Sequence, residues 1–126
     1  MADYTEVFPL GAAGFTSQAS GTITGGDCVA VSGSNTVAAA AAGALTVVGV
    51  AGHDATTGQK VTVLPLKMVH ETLAGASGVT AGNPLKVGAS PNKLILWVTG
   101  TDSGAAFVGI ALNTAAADAT LRWIGR

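Results

Sequence analysis

The sequence has little charge and a single cysteine, and each shortage argues against a class of protein. Six Lys or Arg and seven Asp or Glu are 10% of 126 residues, against about 25% in typical soluble domains. The net charge of −1, without a basic cluster, argues against a nucleic-acid partner. Cys28 alone cannot form an internal disulfide, and this agrees with synthesis and folding in a reducing cytoplasm.

Long hydrophobic runs are absent too. Gly, Thr, Ser or Asp interrupts every apolar stretch before the roughly 18 residues of a membrane helix, so no membrane partner is expected. Asp3 and Glu6 stand where a signal peptide would carry Lys or Arg. Yet 48% of the residues are hydrophobic, more than so short a chain can hide in its own core. We therefore expect other subunits to cover part of its surface.

Groupings typical of an enzyme or a metal site are also missing, so no enzyme and no cofactor are predicted. The stretch 52–60 is one residue too long for a phosphate-binding loop and lacks its Ser or Thr. Two imidazole–carboxylate neighbours, His53-Asp54 and His70-Glu71, have no further ligands at metal-site spacing. We expect His53 to be a polar turn residue, His70 to be solvated on a strand edge, and Cys28 to be an inert thiol.

What the sequence does contain is a repeat. Residues 107–111 (FVGIA) and 119–124 (ATLRWI) match residues 47–51 (VVGVA) and 59–64 (QKVTVL) at an offset of 60 without a gap. Upstream, residues 26–31 (GDCVAV) resemble residues 82–87 (GNPLKV). A similarity at nearly constant offset indicates a duplicated supersecondary unit.

The repeat predicts an all-β fold. Alternating apolar residues and Gly, Asn or Ser turns predict strands at 27–32, 45–51, 60–64, 65–73, 84–88, 93–98, 106–112 and 119–124. Helix propensity favours a helix in the alanine run 38–42, but its counterpart, 93–98, is a strong strand pattern, so we predict a strand running into a loop at 37–44. The prediction is a small sandwich or barrel of short antiparallel strands. It is a single β domain over 21–126, with repeat units at about 26–64 and 82–124.

Residues 1–20 have no visible counterpart in the repeat and are predicted to form an extended N-terminal arm. Pro9 and flanking Gly and Ser residues break this segment, yet it holds three of the six aromatic residues. Arms of this kind bind by inserting a few anchoring side chains into a partner surface. The candidate contact residues are Tyr4, Val7, Phe8, Pro9, Leu10 and Phe15; a disordered leader is the alternative.

The two repeat units resemble the capsid decoration, or cement, proteins of tailed double-stranded DNA phages. The similar motifs, over roughly 24–126, are GDxVxV, VVGVA and GxKVTV in the first half, and AGNPLKV, VGIAL and AAADATLR in the second. The resemblance implies a non-enzymatic virion protein on the outer capsid surface. It would bind as a homotrimer and clamp neighbouring major capsid protein subunits, with the contact falling on the Tyr4–Phe15 segment.

A carbohydrate-binding or host-adhesion module is the alternative function. Trp97 and Trp123 lie on predicted strands, where paired indole rings could stack on sugar rings. Large aromatic residues on alternating strands are more often part of a core or a subunit interface. The state of these two side chains therefore distinguishes the two hypotheses.

Overall fold

The computed structural model describes residues 14–126, and the prediction of an all-β chain is confirmed. Within this range the only helical element is a 3-10 turn at Gly104–Ala106. The ten strands are β1 Phe15–Ala19, β2 Cys28–Gly33, β3 Thr36–Ala39, β4 Val47–Ala51, β5 Lys60–Pro65, β6 Val69–Ala74, β7 Pro84–Val87, β8 Lys93–Leu96, β9 Gly109–Ala111 and β10 Thr120–Gly125.

The strands form two closed five-stranded barrels. Barrel 1 has the order β1-β3-β2-β4-β5 and barrel 2 the order β6-β8-β7-β9-β10, each closed by pairing of its first and last strand. The two barrels have the same topology, as the repeat predicted. Eight strand pairs are antiparallel, but β1 pairs with β3, and β6 with β8, in parallel. The predicted antiparallel pairing is thus present in eight of the ten pairs, and these two are the exceptions.

Each repeat unit contains one strand more than the sequence predicted. Strand β1 has its counterpart in β6, which extends the two units to 15–65 and 69–125. The Gln18 N–H donates to the Asn35 carbonyl as the Leu73 N–H donates to the Asn92 carbonyl. The last residues of the predicted arm, 15–19, are therefore a barrel strand, so an arm can comprise only residues 1–14.

The segment 37–44 was predicted as a strand running into a loop, and this prediction is confirmed. Strand β3 ends at Ala39, two residues into the alanine run, and residues 40–44 form the loop. The strand predicted at 106–112 is limited to Gly109–Ala111, because the 3-10 turn, capped by the Ser103 side chain, takes up the preceding residues. This difference lies at a barrel end, where hydrophobic periodicity carries no information about where pairing stops.

The glycine shared by the two units has a steric cause. At Gly49 in β4, a Cβ atom would lie against the carbonyl oxygen of Leu64 on β5. At its counterpart Gly109, a Cβ atom would meet the Ile124 carbonyl and the indole of Trp123. Each barrel closes tightly at this crossing, and a residue with a side chain does not fit.

The interiors of the two barrels differ in which residues close them off from solvent. Barrel 1 encloses its own cluster, which includes Ile23, Val29, Val61 and Val63. The interior of barrel 2 is continuous with apolar residues of barrel 1 that lie outside that cluster: Cys28, Ala40, Val47 and Val50. The Cys28 N–H donates to the Pro91 carbonyl (2.8 Å), and the Gly43 N–H to the Val87 carbonyl (2.9 Å). The interior of barrel 2 is thus closed by apolar residues on the outer surface of barrel 1.

Candidate interaction surfaces

Of the six predicted contact residues, the structure positions one. Tyr4, Val7, Phe8, Pro9 and Leu10 lie outside the described residues. Phe15 opens β1 opposite Val63, and its half-buried side chain packs against the core of barrel 1. Phe15 therefore has a structural role in barrel 1, beside a surface groove.

That groove is the open end of barrel 1, which we call the barrel 1 mouth. It has a volume of about 410 Å³ and lies where β1, β3 and β4 begin and β2 ends. Its wall carries no charged side chain. The lining residues include Phe15, Ser17, Val31, Asn35, Val37 and Val48. A neutral groove of this kind suits an apolar partner.

In barrel 2 the same end is closed by barrel 1. The counterpart of Val31 is Val87, and the two valines are 50% and 0% exposed, respectively. Val108, the counterpart of Val48, is also fully buried. Their cover is the outside of β2 and β4, where Cys28 lies opposite Val50. We call this surface of barrel 1 the β2–β4 face.

No other part of residues 14–126 covers the equivalent surface of barrel 2. We call it the β7–β9 face; Pro84 and Ile110 lie opposite each other on it, as Cys28 and Val50 do on the β2–β4 face. Both are partly exposed, whereas Cys28 and Val50 are 0% and 5% exposed. Trp97 and Phe107, the counterparts of Ala40 and Val47, add aromatic rings at the edge of this face, 6.0 Å apart and edge to face.

A longer loop borders the β7–β9 face. Between Trp97 and Phe107 the chain has three residues more than between their counterparts Ala40 and Val47, since the offset between the units rises from 57 to 60. Asp102 fixes this loop: its carboxylate accepts from Lys86 Nζ (2.6 Å) and the Val98 N–H (2.7 Å). The Lys86 hydrogen bond, then the Val98 N–H, lower the pKa of Asp102. The loop is thereby held as a fixed rim on the face.

A second groove lies on barrel 2. It has a volume of about 620 Å³ and lies between the loop 75–78, the turn 89–90 and strand β8. Its charged residues are Lys93 and Asp118, which form an exposed ion pair at 2.6 Å. The remaining lining is small or apolar, so the groove presents no convergent set of polar groups that would define a ligand.

The two histidines have structural roles, and the prediction for one of them was wrong. His53 is a turn residue, as expected: its Nε2 accepts the Thr62 N–H at 3.1 Å, as Asn113 Oδ1 accepts the Arg122 N–H at 2.7 Å. His70, expected to be solvated, is 5% exposed. Its ring lies 4.7 Å from that of Trp123, because β6 directs it into the barrel rather than outward.

His70 also ties the linker between the barrels to β6. Its Nε2–H donates to the Pro65 carbonyl at 2.9 Å, with the Leu66 carbonyl at 3.3 Å. Burial lowers the pKa of His70, although these two hydrogen bonds oppose the shift. A neutral ring is therefore the stable form in the fold.

The remaining reactive group is inert. Burial, reinforced by the charge of Asp27, raises the pKa of Cys28 to about 12, so the thiol does not ionise at neutral pH. Among residues 14–126, no three His, Cys, Asp or Glu side chains come together as a metal site. In the same range no helix has the length and apolar character needed to cross a membrane.

The paired tryptophan platform of the alternative function is contradicted. Trp123 is completely buried, and its Nε1–H donates to the Thr72 hydroxyl at 3.1 Å. Trp97 is partly exposed, with its Nε1–H donating to the Ser103 carbonyl at 2.8 Å. The second tryptophan is a core residue, so the two indoles do not form a common surface for a sugar.

Comparison with solved structures finds the same fold in a protein of a phage head. The chain is similar to the crystal structure of the N base of head fiber gp8.5 in bacteriophage phi29, with a TM-score of 0.65 and 21% identity. The similarity covers 89% of this chain and 92% of that one. No family model matches the sequence, and no curated protein matches it. The two chains thus share one fold.

Proposed function

We propose that the chain is a structural protein of a phage head that attaches to the outer surface of the capsid. The observation that carries this proposal is the fold, shared with the phi29 head fiber base over nearly the whole length of both chains. The decoration-protein motifs of the two repeat units favour the same class. The finer assignment, a homotrimer that clamps major capsid protein subunits against internal pressure, follows from that resemblance.

The architecture supports a static binding role. Two closed barrels have no long unpaired sheet edge, and closure is the most complete way to remove such edges. The barrel 1 mouth carries no charged side chain, and burial favours the uncharged forms of Cys28 and His70. A protein repeated many times on a particle gains from rigidity, because each contact then needs little ordering on binding.

The capsid contact is proposed to lie in the arm, residues 1–14. Tyr4, Phe8 and their neighbours would anchor it on major capsid protein subunits, as aromatic residues do at interface hot spots. Phe15, the sixth predicted contact residue, packs half-buried against the core of barrel 1 and lines the mouth beside which the arm would leave. The arm would leave the fold beside the barrel 1 mouth, at the start of β1.

Deletion of residues 2–13 tests this proposal. The deletion keeps Gly14 and all of β1, so the β-rich circular dichroism spectrum and the thermal midpoint are expected to match those of the full chain. Co-sedimentation with expanded phage heads is expected to be lost. The matched control replaces residues 2–13 by a Gly/Ser sequence of equal length, which keeps the length without the anchors. Unchanged co-sedimentation of the deletion variant would refute the arm contact.

The carbohydrate-binding alternative is not proposed further. It required two accessible indole rings, and Trp123 has none of its surface exposed. A glycan titration followed by Trp fluorescence is its direct test, and no saturable response is expected.

A further inference from the structure

The contact between the two barrels joins two different surfaces. The mouth of barrel 2, around Val87, receives the β2–β4 face of barrel 1, around Cys28 and Val50. Because the barrels are duplicates, each chain carries a second example of both surfaces. These are the barrel 1 mouth and the β7–β9 face of barrel 2, and neither is covered by any other part of residues 14–126. A heterologous contact whose two halves both remain available can be repeated from one molecule to the next.

The uncovered pair of surfaces has the chemistry of the covered pair. Val31 at the free mouth matches Val87, and Pro84 and Ile110 on the free face match Cys28 and Val50. No charge opposes the contact: the mouth is neutral, and Lys86 on the face is neutralised by Asp102. Gly100 even repeats the left-handed backbone of Gly43, with φ of 83° and 66° respectively.

We propose that the barrel 1 mouth of one molecule binds the β7–β9 face of a second copy of this chain. The inference deepens the self-association in the proposed function by naming the two surfaces. Gly100 would supply an N–H to the Val31 carbonyl, as Gly43 does to Val87. Pro84 has no N–H, so the bond that Cys28 makes to Pro91 is not repeated. Trp97 and Phe107 add apolar area in its place.

A second copy fits these surfaces better than an unrelated partner does. The chain itself contains the complementary half of each surface, already seated on its mate in the contact between the barrels. A contact repeated head to tail closes into a ring when its rotation allows and otherwise grows into a filament. A ring of three chains, six barrels in all, would satisfy the homotrimer of the proposed function.

A cross-linking experiment tests the pairing of the two surfaces. In the contact between the barrels, Cys28 is hydrogen-bonded to Pro91, and their counterparts on the free surfaces are Pro84 and Ser34. The single bond from the Cys28 N–H to the Pro91 carbonyl (2.8 Å) brings the two backbones together, so cysteines at the equivalent positions 84 and 34 are expected within reach of a disulfide. We expect a mixture of S34C chains and P84C chains to form disulfide dimers on mild oxidation, and neither variant to do so alone. The buried Cys28 serves as an internal thiol that should not react.

The outcomes are distinct. Cross-linking of S34C with itself would mean a two-fold contact between mouths and would overturn the proposal. Absence of a cross-link in the mixture, with an oligomer present, would overturn it as well. Cross-linking in the mixture alone supports the head-to-tail contact.

Substitution of Val31 tests the same contact through the mass of the oligomer in sedimentation. We expect V31D to sediment as a single chain at concentrations at which the wild type is oligomeric, with self-association weakened roughly 30-fold or more. The matched control is V69D. Val69 is 47% exposed and lies on β6, which pairs with β8 and β10 but not with β7 or β9. Its oligomer should be unchanged.

Failure of this inference and failure of the proposed function give different results. A wild-type monomer, or an oligomer unaffected by V31D, overturns the head-to-tail contact even if the chain still binds heads. If V31D dissociates the oligomer and the wild-type chain does not bind heads, the head-to-tail contact is supported and the capsid role is refuted.

Discussion

Equivalent residues in the two units make the same hydrogen bond with different chemical groups. His53 and Asn113 occupy equivalent turns of the two barrels. Each accepts a hydrogen bond from the backbone N–H of the third residue of the following strand. The sequence predicted that they were equivalent and polar. It could not predict their partners, because an imidazole nitrogen and an amide oxygen share no sequence signature and only the folded turn brings the donor within reach.

The shared glycine at the barrel crossing gives the most direct test at this scale. We expect G109A to lower the free energy of unfolding by about 1–3 kcal/mol or more, since its Cβ would meet the Ile124 carbonyl and the Trp123 ring. The control is G104A, where a Cβ meets nothing within 4 Å. Urea unfolding of both variants measures the difference. Equal stabilities would contradict the steric role of Gly109.

His70 makes the stability depend on pH. Burial lowers its pKa in the fold, while the unfolded chain has the ordinary value of about 6.5. Below pH 6.5 the unfolded state therefore binds more protons than the folded state, and stability falls as the pH falls toward the folded pKa. We expect the thermal midpoint to decrease between pH 7 and pH 5.

Replacement of His70 by the residue that barrel 1 has at this position isolates the effect. The counterpart is Phe15, and H70F should flatten the midpoint between pH 7 and pH 5. H53N is the control, because His53 is exposed, and Asn is what barrel 2 carries there. A slope in H70F equal to that of the wild type would assign the pH dependence to other groups.

At the scale of elements, the repeat was a better guide than propensity. Comparison of the two units correctly overrode the helix propensity of the alanine run, and the hairpin around 52–59 is present between β4 and β5. Strand β1 was missed as a repeat element because FTSQA and VHETLA share only the final alanine. What the two strands have in common is their pairing, parallel on one side and antiparallel on the other, and pairing leaves little trace in composition.

The loop between β8 and β9 shows a second limit of prediction. The three extra residues were visible as a change in offset, but their structure depends on Asp102 reaching Lys86, 16 positions away. A turn-rich stretch predicts a loop and not its partners. The structural consequence is that the β7–β9 face has a fixed rim with an aromatic pair, where the β2–β4 face has a short loop of small residues.

At the scale of the whole molecule, the two barrels are duplicates, but the contact between them is not symmetric. The two barrels are built alike, yet one contributes its outside and the other its open end to their contact. The sequence predicted that other subunits would cover apolar surface. It could not indicate which faces would remain uncovered, because Val31 and Val87 are equivalent in the repeat and differ only in what lies above them.

An aspartate introduced at two equivalent positions should therefore have different consequences, loss of stability at one and loss of association at the other. V50D places a carboxylate in the contact between the barrels, where Val50 is 5% exposed, and an unpaired buried charge is strongly destabilising, by about 3–5 kcal/mol. I110D places it on the free β7–β9 face. We expect V50D to lower the unfolding midpoint of both barrels together, and I110D to keep a folded monomer that no longer associates. Thermal unfolding and sedimentation of the two variants separate the effects; similar loss of stability in both would mean that the barrels do not differ in how their outer faces are used.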